Sequence, residues 1–394
     1  MDFDDTAEEA AFRAGARAWL EEHAIAKGSP EDFSAGYFSG DIEPADYVKR
    51  CRWWQGQLHD SGWAGIAWPT EFGGRGGKPI EEAVFAEEQA RWGVSVGAFA
   101  VAIGMVAPTL MQHGTPEQRT RWLGPILRGD EVWCQLFSEP EAGSDLASLR
   151  THAVVDGDEL VVNGQKVWTS NAQYAEWGIL LVRTSTGESK HSGITYAVVD
   201  MSSPGVDIRP LRQLNGDAHF NEVFLTDVSV PLANVIGEID EGWKVAVTTL
   251  SNERVAIAGG SGMSDPQRLL LLARSLGVTS QPIFRQRFAD AWIQNELIRY
   301  LKLRTRTAMS KGVRPGPEAS IMKVAYARFV KSIGDLAIGI QGPYGQLLHP
   351  DAAVDGVFQQ KFFNAVQASI GGGTDEIQRN IIGERVLGLP REPR

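Results

Sequence analysis

Glu253 and Arg254 stand side by side in a stretch whose apolar residues recur at helical spacing. On a helix advancing about 100° per residue, Trp243, Val247, Leu250 and Ile257 form one apolar stripe, with Glu253 and Arg254 within or beside it. A carboxylate at a partly desolvated site has its pKa raised, as removal of a proton from carbon requires. Taken alone, the residues fit a second arrangement at least as well, in which Glu253 flanks the stripe and reaches water or an ion pair. A nucleophile is the other chemistry to weigh. Gly93, Ser95 and Gly97 match G-x-S-x-G, but that elbow needs a strand before the serine, and residues 87–92 read as helix. The Gly-rich run PTEFGGRGGKP at 69–79 lacks phosphate-loop spacing, because Lys78 is followed by Pro79 and not by Ser or Thr. The seven histidines show no metal-ligand spacing, so no metal is expected.

These side chains need a scaffold, and 394 residues are too many for one hydrophobic core, so two or three domains are expected. A net charge of −11 argues against non-specific nucleic-acid binding, although a few placed Arg residues can still hold an anion. Cys51 and Cys134 cannot build a disulfide framework and point to a reducing cytoplasm. The opening MDFDDTAEEAAFRAGARAWL is acidic and has neither a basic region nor an apolar core, so it reads as an amphipathic helix and not as a signal peptide. The run GVSVGAFAVAIGMVAPTLM at 93–111 is long enough to raise a membrane span. It is rich in Gly and Ala, contains Pro108 and is flanked by Arg91 and His113, so it reads as a buried helix.

Periodicity divides the chain into three segments. Residues 1–131 are helical in pattern, with Phe12, Ala16, Trp19 and Leu20 at three- and four-residue spacing. After Val132 the period changes: THAVVDGDELVVNG alternates around an Asp156-Gly157 turn and predicts a β-hairpin, with further strands at 178–183, 194–200 and 221–230. A compact β-barrel or sandwich is expected over 132–236. Helical periodicity returns over 237–394, broken at Pro266, at GVRPGP (312–317) and at GPYG (342–345), which suggests a four-helix bundle. The fold class is therefore multidomain α and β: an N-terminal α-helical domain, a middle β-barrel domain and a C-terminal four-helix bundle.

Three blocks carry a family resemblance. WCQLFSEPEAGSDLASL…NGQKVWTSNA, from Trp133 to Ala172, resembles the flavin-contacting middle domain of the acyl-CoA dehydrogenases, whose pattern is roughly TEP-x-AGSD followed by K-x-W-x-T/S-N. IGGGTDEIQRNIIGERVLGLPRE, from Ile370 to Glu392, is similar to that family's C-terminal signature, and GWAGIAWPTEFGG at 62–74 to its N-terminal helical domain. The blocks stand in family order across nearly the whole chain. The resemblance implies α,β-dehydrogenation of an acyl-CoA thioester with FAD as cofactor, passing electrons to an acceptor like electron-transfer flavoprotein. It also implies a homodimer or homotetramer, with a heteromer as the alternative, and neither nucleic-acid nor membrane partners.

The resemblance implies roles residue by residue. In many members the base is a Glu of the C-terminal block, where this chain has Gly372; a subset instead carries it just before an Arg on an early helix of the C-terminal domain, which matches Glu253-Arg254. Gly372 would keep a role through its backbone N–H, donated to the thioester carbonyl. Phe137, Ser138, Gly143 and Ser144 would line the loop at the flavin and the pantetheine, Trp168 would pack on the ring and Ser170 would bond near its N5. Trp168 also fits a core aromatic of a β domain. Arg285 and Phe288 match a pyrophosphate-binding run, although Ala289 and Asp290 stand where a Gly is usual. Gln341, Gly342 and Gly345 match adenosine-side contacts, and Thr374 and Glu376 match flavin contacts, with Glu376 replacing the commoner Gln. Arg254, Arg209 and Arg212 are candidates for CoA phosphates, although ordinary surface charge explains the last two better. The Gly371–Gly373 run removes side-chain volume near the acyl site and hints at a bulky, branched, long or ring-bearing acyl group. Two other activities remain open: an acyl-CoA oxidase, and a non-catalytic partner subunit motivated by Gly372.

Overall fold

The computed structural model describes residues 4–36, 42–259, 266–313, 316–348 and 351–391, with the side chains of 254–259 and 355 outside the description. Among the described residues five α-helices precede the sheet: α1 (Ala7–His23), α2 (Pro44–Asp60), α3 (Pro79–Gln89), α4 (Ala107–His113) and α5 (Pro116–Arg128). Seven strands follow: β1 (Trp133–Leu136), β2 (His152–Asp156), β3 (Glu159–Ser170), β4 (Trp177–Arg183), β5 (Ile194–Asp200), β6 (Val206–Leu211) and β7 (Phe220–Pro231). The chain then returns to helix with α6 (Gly242–Gly259), α7 (Pro266–Ser275), α8 (Pro282–Ser310), α9 (Ala319–Gln341), α10 (Val357–Ala365) and α11 (Asp375–Ile381). The order α, β, α is the one that periodicity predicts.

Some local expectations shift. In the β2–β3 hairpin Asp156 pairs with Glu159, so the turn residues are Gly157 and Asp158, one place later than expected, with Gly157 at φ +61°. The apolar run at 93–111 is not one regular helix. It passes through a 3₁₀ turn at Gly97–Phe99 and a π-turn at Ala102–Val106 before α4. Pro266 does not break a helix among the described residues but opens α7, where its missing N–H costs nothing.

The chain packs as two compact units drawn across the three sequence segments. One unit holds residues 1–42, 79–93 and 257–394. Within it Arg13 of α1 bonds Glu87 and Glu88 of α3 at 2.7 and 2.9 Å, and Arg306 of α8 pairs with Asp5 ahead of α1. Phe284, Ala291 and Ile298 of α8 meet Phe329, Ile333 and Leu336 of α9 and Phe358 of α10 in its core.

The second unit holds residues 43–78 and 94–256, and so contains the whole sheet and most of α6. Its strands run β1-β4-β2-β3-β7-β6, with β5 also on β4. WGILLVR and ITYAVVD form β4 and β5, buried almost throughout, as continuous apolar runs with cover on both faces require. The long β3–β7 ladder is antiparallel and broken twice. Between Lys166 and Thr169 it advances three residues on β3 against two on β7, from Val223 to Asn221, so β3 carries a bulge at 167–168.

Candidate active site

That bulge decides which way Trp168 faces. On an unbroken strand Trp168 would share the inward face with Lys166, and Thr169 would face out. Instead Lys166 and Thr169 are both buried and the Trp168 side is 60% exposed, with Trp168 at φ +60°. A left-handed φ is unfavourable for a bulky residue, and such strain collects at functional positions. Phe220 of β7 meets the indole edge-on, with ring centroids 5.9 Å apart. Trp168 is therefore not a core aromatic. Ser170, at the end of β3, is half-buried opposite Phe220.

Beside β3 runs the 137–150 loop, held from below by an ion pair that the sequence gives no direct signal for. Lys166 Nζ lies 2.8 Å from Glu139 Oε1 and donates to the Phe137 carbonyl at 3.2 Å. Glu139 also accepts from the backbone N–H of Arg150 at 2.6 Å and of Thr151 at 2.9 Å. Burial alone raises the Glu139 carboxyl, and the Lys166 ammonium with those N–H donors outweighs it, leaving the group below its ordinary value. Burial pushes Lys166 down to about 8 against the opposing pull of Glu139. The loop is pinned to β3 a second time by Val167 N–H donating to the Ser138 carbonyl at 2.9 Å. Phe137, Ser138 and Trp168 are thus brought together on adjoining backbone. Gly143 and Ser144 sit exposed further along, and a Cβ added at Gly143 would meet nothing within 4 Å.

Glu253 belongs to the same unit, on α6. The buried face of α6 is not the expected stripe: Val245, Ala246 and Thr249 are buried, while Val247 is 43% exposed. Glu253, half-buried, continues the Ala246–Thr249 face one turn beyond Thr249. The side chains of Arg254 and Ile257 lie outside the described residues. Arg209 is held on the surface by Asp207 at 2.6 Å and stacks over Phe224, so its charge is already engaged, while Arg212 is also in this unit. Ser95 does not stand on an elbow: among the described residues no strand precedes it, and its hydroxyl meets Tyr47 OH at 2.8 Å and the Gly97 N–H at 3.1 Å.

The remaining candidates lie in the other unit. Gly372 and Gly373 adopt φ +65° and +86°, and Gln378 Nε2 holds the Gly372 carbonyl at 2.8 Å. Thr374 caps α11, accepting from Ile377 N–H at 3.3 Å. Asp375 is buried, 3.2 Å from the buried Lys323 and 2.9 Å from Ser369 Oγ, which anchors the glycine run. Glu376 is exposed and pairs with Arg379 at 3.2 Å. Arg285 is exposed on the first turn of α8, whereas Phe288 packs on the core and stacks on Phe284 at 5.5 Å. Gln341 is turned inward: its amide donates to the Ala337 carbonyl at 2.9 Å and accepts from Gln359 at 3.2 Å. Gly342 closes α9 at φ +56°, and a Cβ on Gly345 would come within 2.8 Å of the Ile338 carbonyl, so both glycines have backbone reasons.

Residues 6–130, 134–228 and 240–387 match, in turn, the N-terminal, middle and C-terminal domains of acyl-CoA dehydrogenase. Acyl-CoA dehydrogenase IpdE1 of Mycolicibacterium smegmatis is 36% identical over 97% of this chain and 98% of its own length. This chain belongs to the acyl-CoA dehydrogenase family. It is an oxidoreductase with the family's three-domain architecture, helical at both ends and β in the middle. Among solved structures, this acyl-CoA dehydrogenase is similar to the Tcur3481-Tcur3483 steroid ACAD (TM-score 0.83, 31% identity, covering all of both chains). It is also similar to a chain of the ChsE4-ChsE5 complex from Mycobacterium tuberculosis (TM-score 0.80, 30% identity, 99% of this chain and 100% of that one). Among its described residues no helix is long and apolar enough to cross a membrane, and no group of His, Cys, Asp and Glu has the makings of a metal site.

Proposed function

We propose that this chain oxidises the Cα–Cβ bond of an acyl-CoA thioester to the 2-enoyl-CoA, with FAD as cofactor and Glu253 taking the α-proton. The observation that carries the reading is that α6, which bears Glu253, and the Phe137 loop with Trp168 belong to one compact unit joined through Tyr196, whose ring meets Phe137 edge-on at 5.8 Å. The residues fit a flavin. Trp168 offers an exposed indole in a fixed backbone conformation, Gly143 leaves open space, and Thr169 Oγ1 and Asn171 Oδ1 are buried polar atoms with no protein partner. Phe137, Ser138, Trp168 and Ser170 would hold the ring side; the family resemblance alone assigns flavin contacts to Arg285 and Phe288 (toward a neighbouring subunit's pyrophosphate), to Gln341, Gly342 and Gly345, and to Thr374 and Glu376. The chemistry a bound flavin supplies is acceptance of the β-hydride. Glu253 would hold the α-proton on its carboxylate, with Ser144 and Arg254 at the pantetheine and phosphate end, and the family resemblance assigns Gly372 N–H to the thioester carbonyl.

The glycine run and the likeness to a steroid ACAD support a bulky, ring-bearing acyl group. We further assign domain limits at 1–131, 132–236 and 237–394, a barrel-like middle domain, a four-helix C-terminal bundle and a cytoplasmic location. The assembly is a homodimer or homotetramer, and the acceptor is of the electron-transfer flavoprotein kind. Anaerobic titration with a panel of acyl-CoA thioesters, followed by bleaching of the flavin absorbance, tests the reading. Bleaching by one acyl class, lost in Glu253→Gln with flavin retained, is the expected result; near-normal turnover of Glu253→Gln sinks the assignment. The second reading, a non-catalytic partner subunit, draws on the left-handed φ of Gly372, where no Glu would sit unstrained, and predicts a colourless protein that takes up no FAD.

A further inference from the structure

Three hydroxyls lie in the buried interior of the sheet-bearing unit, on three different elements: Thr109 on α4, Tyr196 on β5 and Thr249 on α6. Their order can be read from the bonds. Thr109 Oγ1 donates to the Met105 carbonyl at 2.7 Å, which uses its only proton, so toward Thr249 Oγ1 at 2.9 Å it accepts. Thr249 therefore donates to Thr109, with the Val245 carbonyl a longer alternative at 3.3 Å, and accepts from Tyr196 OH at 3.2 Å. Burial pushes the Tyr196 phenol up, so it keeps the proton it must donate. The chain of bonds thus runs Tyr196 to Thr249 to Thr109 and ends on Met105, within the π-turn. Single π-turns inside helices are frequent at functional sites.

Burial alone gives no reason for this arrangement. A Val has nearly the shape of a Thr and no hydroxyl to satisfy, and a core of Val and Phe would stabilise the unit at least as well. What the hydroxyls add is direction, because each bond fixes the rotation and the register of the helix that carries it. Thr249 lies one turn before Glu253 on the same face of α6, and Tyr196 reaches Phe137 through its ring and Thr249 through its hydroxyl.

We propose that Tyr196, Thr249 and Thr109 are positioning residues: their hydroxyl chain sets the rotation of α6 so that the Glu253 carboxylate is held in register with the Phe137–Trp168 side of the site. The inference rests on the reading of Glu253 as the proton acceptor. Misplacing a reacting group by about 1 Å costs on the order of a hundredfold in rate, so a partial loss of register should cost about tenfold.

The test is rapid-reaction flavin reduction by acyl-CoA in the full-length, FAD-loaded enzyme, comparing Thr249→Val with Thr249→Ser. Val keeps the shape and loses the hydroxyl; Ser keeps the hydroxyl and loses a methyl. The expected result is about a tenfold slower reduction in Thr249→Val with flavin content unchanged, a larger isotope effect with α-deuterated substrate, and near-native rates in Thr249→Ser. Tyr196→Phe, which removes one oxygen, should behave like Thr249→Val and covers the case in which Val does not fold. If Val matches the native rate, or if Ser is as damaged as Val, the residues are packing and the proposal falls. Glu253→Gln measured alongside separates the two ideas. Retained turnover there removes the reading of Glu253, whereas a dead Glu253→Gln beside a native-like Thr249→Val overturns the positioning chain alone.

Discussion

Replacing Glu139 by Gln should destabilise the sheet-bearing unit by about 3 kcal/mol at pH 7, the lower end of the roughly 3–5 kcal/mol expected when one partner leaves a buried ion pair. Two contributions make up the figure. Lys166, wholly buried and held at about 8, still carries its proton at pH 7. Without the carboxylate the buried amine is neutral there, which forfeits one pH unit of proton binding, about 1 kcal/mol. The N–H groups of Arg150 and Thr151 lose an ionised acceptor, worth roughly 2 kcal/mol together. The pH dependence gives the sign. In the variant the unfolded chain holds one more proton than the folded one from pH 7 upward, so its stability rises with pH. In the native protein the same rise begins only near 8 and ends near 10.5, the ordinary lysine value. The deficit should therefore shrink to about 2 kcal/mol at pH 8 to 9 and then stay level. Urea unfolding followed by Trp fluorescence at pH 7, 8 and 9 reads it. A deficit that is constant across that range, or a variant as stable as the native protein, refutes the reasoning.

Gly372→Glu is expected to cost roughly 1–2 kcal/mol through its left-handed φ and to supply no second base. Turnover of the double variant with Glu253→Gln should stay at the level of Glu253→Gln alone, and recovery would show that the loop can re-aim a carboxylate. Asp375→Asn leaves the Lys323 ammonium buried without its counter-charge and should lower stability by about 3–5 kcal/mol in urea unfolding; an unmoved midpoint would mean that Lys323 reaches water. Burial pushes His219 down to about 4 from an ordinary 6.5. Its folded pKa is depressed, so the stability present above 6.5 is lost as pH falls toward 4, roughly 3 kcal/mol in all. His219→Gln should flatten that part of the acid-unfolding curve, and an unchanged curve would assign the acid sensitivity elsewhere.

The alternation of helix and strand was legible because the apolar period changes after Val132 and changes back after Gly237. β5 was expected at 194–200 and forms there, since a run of buried β-branched and aromatic residues has few other options. β6 was not expected: Asp207, Arg209 and Pro210 give it a polar edge that no periodicity test detects. The face that α6 buries is selected by residue size and not by hydrophobicity alone. Close approach to β5 and α4 favours Ala246 and Thr249 over the bulkier Val247, and closeness is a tertiary property. Lys166 was visible only as one letter of a motif. Its burial depends on an acid 27 residues earlier in the chain and on a bulge that period-two reasoning assumes away. The resemblance supplied Glu253, Phe137 and Trp168; the hydroxyls of Thr109, Tyr196 and Thr249 carried no signal, because isolated Thr and Tyr residues in apolar runs look like ordinary core.

The chain changes compact unit near residues 43, 79, 94 and 257, so neither unit is a continuous piece of the gene. During synthesis α1 and α3 emerge long before α8, with which they share Arg306 and its carboxylates and which begins only at Pro282. At roughly 5–20 residues per second, some ten to forty seconds separate α3 from the start of its partner helix. Over that interval the unit that holds the sheet, complete by residue 256, can close while α1 and α3, paired with each other through Trp19 and Phe85, wait for α8. Ribosome-associated chaperones would meet this nascent chain at its N-terminal helices and not at its strands.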